Sequence, residues 1–160
     1  MTETNLEIFL NNGSSFQPHQ VLELGSKPNQ LTVAPSSKVY VLCDDGLKSI
    51  EEDGNGTFSS SILLPLLNSF LYFLISPDEE LLVFGGDLLV DIYVWNGAHY
   101  SLNQTLTEGI YGDGLALSSD GKELVLCQTS LSIYRHDGAS FVLTQTIDLG
   151  FACLATYFLD

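Results

Sequence analysis

Three observations predict an all-β chain, a β-propeller of four-stranded antiparallel blades. They are an internal period of about 42 residues, four short β-type runs inside each period, and no helical spacing within it. The isoleucines Ile8, Ile50, Ile92 and Ile133 are 42, 42 and 41 positions apart, and the aromatics Phe16, Phe58, Tyr100 and Phe141 step by the same amounts. Leu22, Leu64, Leu106 and Ile147 keep that register, and Pro35, Pro77 and Ser119 follow one another at 42. A period of this length built only of strands matches one propeller blade. A lone blade cannot bury both faces, so apolar columns recurring in every unit imply blades stacked on one another.

The chain opens on the outer two strands of a blade (6–24) and continues through full blades at 31–64, 70–106 and 114–147. It ends on a terminal strand at 151–159, so the expected architecture is three full blades plus a split partial blade. The first full blade reads "LTVA", "PSSKVYVLC", "LKSIEE", the turn "DGNG" and "FSSSILL". The second reads "FLYFLIS", the turn "SPDEE", "LLVFGG" and "LLVDIYVW". Asn96-Gly97 then suits a tight two-residue hairpin, and "HYSLNQTL" closes the unit. The third repeats this as "LALS", "SDGKELVLCQ", "LSIYRH", Asp137-Gly138 and "SFVLTQTI". Three assemblies satisfy these strands: a near-complete four-bladed ring, a half-ring forming a homodimer that completes the ring, or a piece of a longer protein. The edge at 151–159 invites pairing.

With 160 residues, 45% hydrophobic and 16% charged, the chain has the composition of one globular domain. Its net charge of −15 repels phosphate backbones and anionic membranes, so neither nucleic acid nor a membrane is expected as partner. The apolar stretch Ser61 to Ser76 is broken by Pro65 and by Asn68-Ser69 and is shorter than a bilayer span. "MTETNLEIFLNNGSS" has no basic start and no long apolar run, so a cytoplasmic location is expected, although sequons at Asn12, Asn55 and Asn103 point towards secretion. Cys43 and Cys127 are 84 apart, hence the same position in different repeats, and reduced thiols are expected.

The segments "SPDEELLVFGGDLLVDIYVWNG" and "SSDGKELVLCQTSLSIYRHDG" resemble WD-repeat propellers, whose units run through a Ser-Pro-Asp-Gly turn to a strand ending near Trp-Asp. "YVWNGAHYSLNQTL" is also similar to epitempin-type propeller repeats. Both resemblances imply the propeller fold.

No nucleophile elbow, Walker loop, zinc spacing or dinucleotide fingerprint occurs. His19, His99 and His136 fall in or beside outer strands and turns, so no metal site and no catalytic residue is expected of them. "EEDGNG" at Glu51 to Gly56 has oxygen donors but not the alternating order of a calcium loop, and reads as a hairpin turn. Trp95 stands where the other units have Asn11, Asp53 and His136, so it is either a partner contact or partly packed against the adjacent blade. The connections into the inner strands, Gly25 to Gln30, Leu66 to Ser69 and Thr107 to Gly114, form one rim of a propeller. They make Lys27, Tyr111 and Asp113 the further candidates for partner binding. The expectation from these features is a non-catalytic protein-interaction scaffold of WD-repeat-like type, without cofactor. The alternatives are a metal-dependent lactonase-like or ligand-binding propeller, and a fragment of a longer propeller protein.

Overall fold

The computed structural model describes residues 4–66, 70, 72–86, 89–107, 114–127 and 129–150. The chain divides into two compact units, Met1–Ser69 and Phe70–Asp160. The first holds the hairpin β1 (Asn5–Asn11) and β2 (Phe16–Glu23). A four-stranded sheet follows: β3 (Pro28–Val33), β4 (Val39–Cys43), β5 (Gly46–Glu52) and β6 (Phe58–Pro65). The second unit holds two such sheets. One is β7 (Tyr72–Ile75), β8 (Leu81–Gly85), β9 (Val90–Trp95) and β10 (Tyr100–Leu106). The other is β11 (Leu115–Leu117), β12 (Glu123–Cys127), β13 (Ser130–His136) and β14 (Phe141–Asp148). Each sheet is an antiparallel meander in chain order, and the fold class is that of a partial β-propeller. The expected strand at 151–159 lies outside the described residues.

Turn chemistry explains why the strands end where they do. Asn12, Asp53, Asn96 and Asp137 each open an outer hairpin turn, and each Oδ1 accepts backbone N–H groups two to four residues on. Asn96-Gly97 does not form the expected two-residue hairpin. The Asn96 N–H donates to the His99 carbonyl (3.1 Å), Trp95 pairs with Tyr100, and only Gly97 of the dipeptide has positive φ. The asparagine side chain caps the loop amides, which a four-residue loop accommodates. Between the first two strands of successive sheets, Ser37, Glu79 and Gly121 occupy one left-handed position (φ 69°, 60° and 70°).

Pairing corrects the register at one column. Ile8, Ile92 and Ile133 are equivalent, each opposite a glutamine: Gln20, Gln104 and Gln145. Ile50 is not in that column. Glu52 pairs with Phe58 as Trp95 pairs with Tyr100, so Ser49 takes the isoleucine position and Glu52, not Asp53, is the counterpart of Trp95. The turn before β4 is one residue shorter than its equivalents and the turn after β5 one longer, so the 42-residue period hides the slip. Leu42, not Cys43, is consequently the equivalent of Cys127. Reduced thiols are found only in part: Cys43 is free and buried, whereas Cys127 is disulfide-bonded.

Period-2 alternation gives each sheet two faces. One carries the isoleucine column and may be called the isoleucine face. The other carries Phe9, Ile50 or Tyr134 together with the aromatic that opens the outer strand. Within the second unit, Val83, Val90, Ile92 and Leu106 from the isoleucine face of β7–β10 pack on Leu124, Leu126, Tyr134 and Phe141 from the aromatic face of β11–β14. Within the first, Leu6, Leu22 and Leu24 from the hairpin pack on Val41, Cys43, Ile50 and Phe58 in the same sense.

A glutamine locks each junction. Gln104 Nε2 donates to the Phe141 carbonyl (2.9 Å) while its Oε1 accepts the Phe141 N–H (2.8 Å). Gln20 treats Phe58 identically, at 2.7 and 2.8 Å. Both glutamines follow a β-bulge residue whose own side chain, His19 or Asn103, meets the carbonyl two residues before that aromatic.

Ile92 is 1% exposed, whereas its equivalent Ile133 is only half-buried, because the isoleucine face of β11–β14 has no sheet upon it among the described residues. Ile92→Asp is therefore expected to cost about 4 kcal/mol and Ile133→Asp no more than about 2 kcal/mol, read from urea unfolding midpoints. Equal losses would mean that both faces are covered.

Candidate functional site

The connection Gly25 to Gln30 enters β3 beside the Asp44-Asp45 turn that joins β4 to β5, and the two segments interlock. The Asp44 N–H donates to the Lys27 carbonyl (3.0 Å), Asn29 Nδ2 donates to Asp44 Oδ1 (2.9 Å), and the Ser26 hydroxyl donates to Asp45 Oδ1. Gly46 completes the turn at φ 145°. A side chain there would collide with the Leu64 carbonyl and approach the Pro65 Cα to 3.0 Å.

Behind the turn lies a buried cation. Lys48 occupies the third-strand position that Asp91 and Ser132 fill in the other sheets, and all three are buried. A hydroxyl satisfies Asp91, whose Oδ1 accepts from Thr105 Oγ1 at 2.6 Å. In the first sheet, Lys48 Nζ instead donates to the Leu24 carbonyl and pairs with Asp45 Oδ2 at 2.9 Å. The lysine side chain is 6% exposed and that of Asp45 41%. An ammonium ion so far removed from water requires such partners. Partial desolvation, the largest single influence on Asp45, raises its pKa. The Ser26 hydroxyl and the Lys48 ammonium together outweigh it and hold the carboxyl below its ordinary value. Burial likewise pushes the Cys43 thiol up, leaving it neutral.

This rim presents an ionised carboxylate, hydroxyl and amide groups, and the exposed ammonium of Lys27. Two of the five cations in the chain, Lys27 and Lys48, lie here beside the carboxylates of Asp44 and Asp45. A cleft of about 470 Å³ in the second unit is lined by Asp78, Glu80, Asn103, Asp120, Lys122 and His136. Its polar groups already serve the architecture. Asp78 accepts from Ser76 Oγ and the Glu80 N–H, Asp120 accepts from Ser118 Oγ and the Lys122 N–H, and Asn103 bonds Ala139. Among the described residues no group of three His, Cys, Asp or Glu side chains could hold a metal ion.

Of the residues singled out from sequence, Lys27 lies on the rim. Trp95 is in the second unit, 38% exposed, with its ring edge-on to Tyr100 at 5.1 Å. Tyr111 and Asp113 fall outside the described residues, so the four are not assembled into one described site. Asp45, Lys48, Ser26 and Asn29 were missed. The available signal was the adjacent Asp44-Asp45 pair, followed three residues later by a lysine in a strand otherwise buried.

No family model and no curated protein matches the chain. Solved propeller structures do resemble it. A proposed 6-phosphogluconolactonase from Bacteroides uniformis superposes with TM-score 0.72 at 17% identity, over 93% of this chain and 50% of its own. The periplasmic gluconolactonase of Pseudomonas aeruginosa gives 0.58 at 16%, over 86% and 43%. The Swd1 β-propeller domain of Myceliophteria thermophila gives 0.64 at 11%, over 89% and 52%. The chain thus spans about half the length of these structures, and the likeness establishes the β-propeller fold. It also corrects the expectation of a non-catalytic interaction scaffold. Two of these three structures carry lactonase names, so the fold does not support the expectation of a chain without catalysis.

Asp45→Asn would leave Lys48 buried without its counter-charge; because Asp45 is 41% exposed and solvent screens the pair, a loss of about 1–2 kcal/mol is expected from chemical denaturation at pH 7. Because the folded carboxyl titrates below its ordinary value of 3.8, the stability it contributes is complete above that value and is lost as pH falls through the lower, folded one. The difference between native chain and variant should therefore shrink below pH 4. A difference constant from pH 7 to pH 2 would refute the pairing.

Proposed function

We propose that this chain forms the ligand-holding part of a lactonase-like propeller whose substrate class is a polyhydroxylated lactone or the corresponding acid. The observation that carries this reading is the rim of Ser26, Lys27, Asn29, Asp44 and Asp45 over the buried Lys48. A sugar-derived ligand needs several hydroxyl acceptors and donors within a few ångströms, and an anionic one needs an accessible cation. Asp44 and Asp45 offer the acceptors, the second N–H of the Asn29 amide offers a donor, and Lys27 offers the cation. The lactonase names of similarly folded structures support the same class. The Ser-x-Asp turns at Ser76 and Ser118 support kinship of the blades with WD-type repeats.

Lactone hydrolysis adds water across the ester C–O bond, which opens the ring to a hydroxy acid. The transition state places negative charge on the former carbonyl oxygen, where an ammonium such as that of Lys27 is favourable. The proton lost by water needs an acceptor. A carboxylate held as low as Asp45 is a weak base at neutral pH, so Asp45 suits the binding of substrate hydroxyls better than the activation of water.

Hydrolysis of δ-gluconolactone and of its 6-phosphorylated form, followed by pH-stat with and without calcium, tests the proposal. Lys27→Ala should raise KM for the phosphorylated lactone about tenfold, as expected for one exposed charge-assisted contact, and change kcat less than twofold. The reading fails if the chain neither hydrolyses these lactones nor binds their acids at millimolar concentration in calorimetry.

A further inference from the structure

The two clamped junctions leave two unmatched halves of a third. Gln145 sits opposite Ile133, directly after the bulge residue Thr144, as Gln20 follows His19 and Gln104 follows Asn103. Its side chain is exposed, and its amide meets no other group among the described residues, whereas both equivalents hold the next aromatic by two hydrogen bonds. The isoleucine face around Gln145 is correspondingly bare. Val142 is 47% and Ile147 39% exposed, whereas Leu106, the equivalent of Ile147 on the covered sheet, is 8% exposed.

The hairpin shows the complementary deficit. Phe16 pairs with Asn11 as Phe141 pairs with His136 and Phe58 with Glu52. All three adjacent turns close with the same backbone bond, so the N–H and C=O of Phe16 face outward in the phase that a glutamine grips. Yet Phe16 is 69% exposed against 3% for Phe141, and Phe9 is 46% exposed against 5% for the equivalent Tyr134. Among the described residues the hairpin thus has an aromatic face with no isoleucine face upon it, and β11–β14 an isoleucine face with no aromatic face upon it.

We propose that these two faces join between two copies of the chain. The isoleucine face of β11–β14, with Gln145, docks on the aromatic face of the β1–β2 hairpin of the second copy, and Gln145 clamps the backbone of Phe16 there. The second copy is the occupant for two reasons. Its hairpin carries the aromatic face in the register that Gln145 requires, and the apolar groups left exposed on the two faces are those buried at the junctions within each unit. In the proposed dimer this head-to-tail contact is made twice, about a twofold axis.

Sizing with light scattering and sedimentation equilibrium should find a discrete dimer. Gln145→Ala and Phe16→Ala should each raise the dissociation constant at least about tenfold, with unchanged circular dichroism, because each removes groups outside the folded core. In a mixture, Phe16→Cys of one preparation and Gln145→Cys of another should join through a short bismaleimide into a species of twice the chain mass. Neither preparation should do so alone. A monomer at all concentrations, a polydisperse series, or a dimer indifferent to Gln145→Ala would each overturn the proposal. So would a Phe16→Cys/Gln145→Cys chain that links only to itself. None of these readouts depends on lactonase activity, so failure of the enzyme reading and failure of this interface are distinguishable.

Discussion

The structure depends on one constraint: a twisted four-stranded sheet with two apolar faces must be covered twice. The chain meets it by making the faces complementary. An isoleucine face of one sheet meets an aromatic face of the next, in both units and in the same sense. Burying a side chain such as Ile92 contributes roughly 1.5–3 kcal/mol, so the apolar contact supplies most of the stability of a junction. The glutamine clamp supplies its register. It satisfies an outward-facing backbone N–H and C=O that would otherwise form an open sheet edge, and it does so only when the sheets are aligned at one residue.

The candidate rim follows from the same arrangement. The third-strand position of Lys48, Asp91 and Ser132 is buried in each four-stranded sheet, so a polar residue there must be partnered. Thr105 answers Asp91, and Asp45 with the Leu24 carbonyl answers Lys48. The lysine draws an acidic turn and the Gly25 to Gln30 connection together at one end of the sheet. A cluster of hydrogen-bonding groups therefore gathers there, without the repeat itself requiring any of them. In the cleft of the second unit polar groups of similar type are likewise engaged, there by their own turns.

Much of the architecture was legible in the sequence. Four agreeing columns gave the period, and the turn residues gave the strand order within it. What the period concealed was a compensated slip: one residue lost before β4 and one gained after β5 leave the spacing at 42 while moving Ile50 off the isoleucine column. The hairpin at Asn96 was misread because the dipeptide signal ignores the asparagine side chain, which bonds the loop amides. The rim was half legible. Lys27 lies on a loop picked out by topology, whereas the Lys48–Asp45 pair depends on knowing that a strand residue with a polar name is buried. Function was the least legible, since the acidic composition and absent motifs suggested a scaffold until the fold comparison pointed elsewhere.

The most direct test of the face-to-face account is amide hydrogen exchange along the open edge of β14. Phe141 and Leu143 lie two residues apart on that edge, and in an isolated sheet the outward N–H groups of both would exchange freely. The account predicts strong protection at Phe141, whose N–H is held by Gln104, and fast exchange at Leu143. Equal, fast exchange at both positions would contradict it, because the clamp would then be absent in solution and the sheets would be stacked by apolar contact alone.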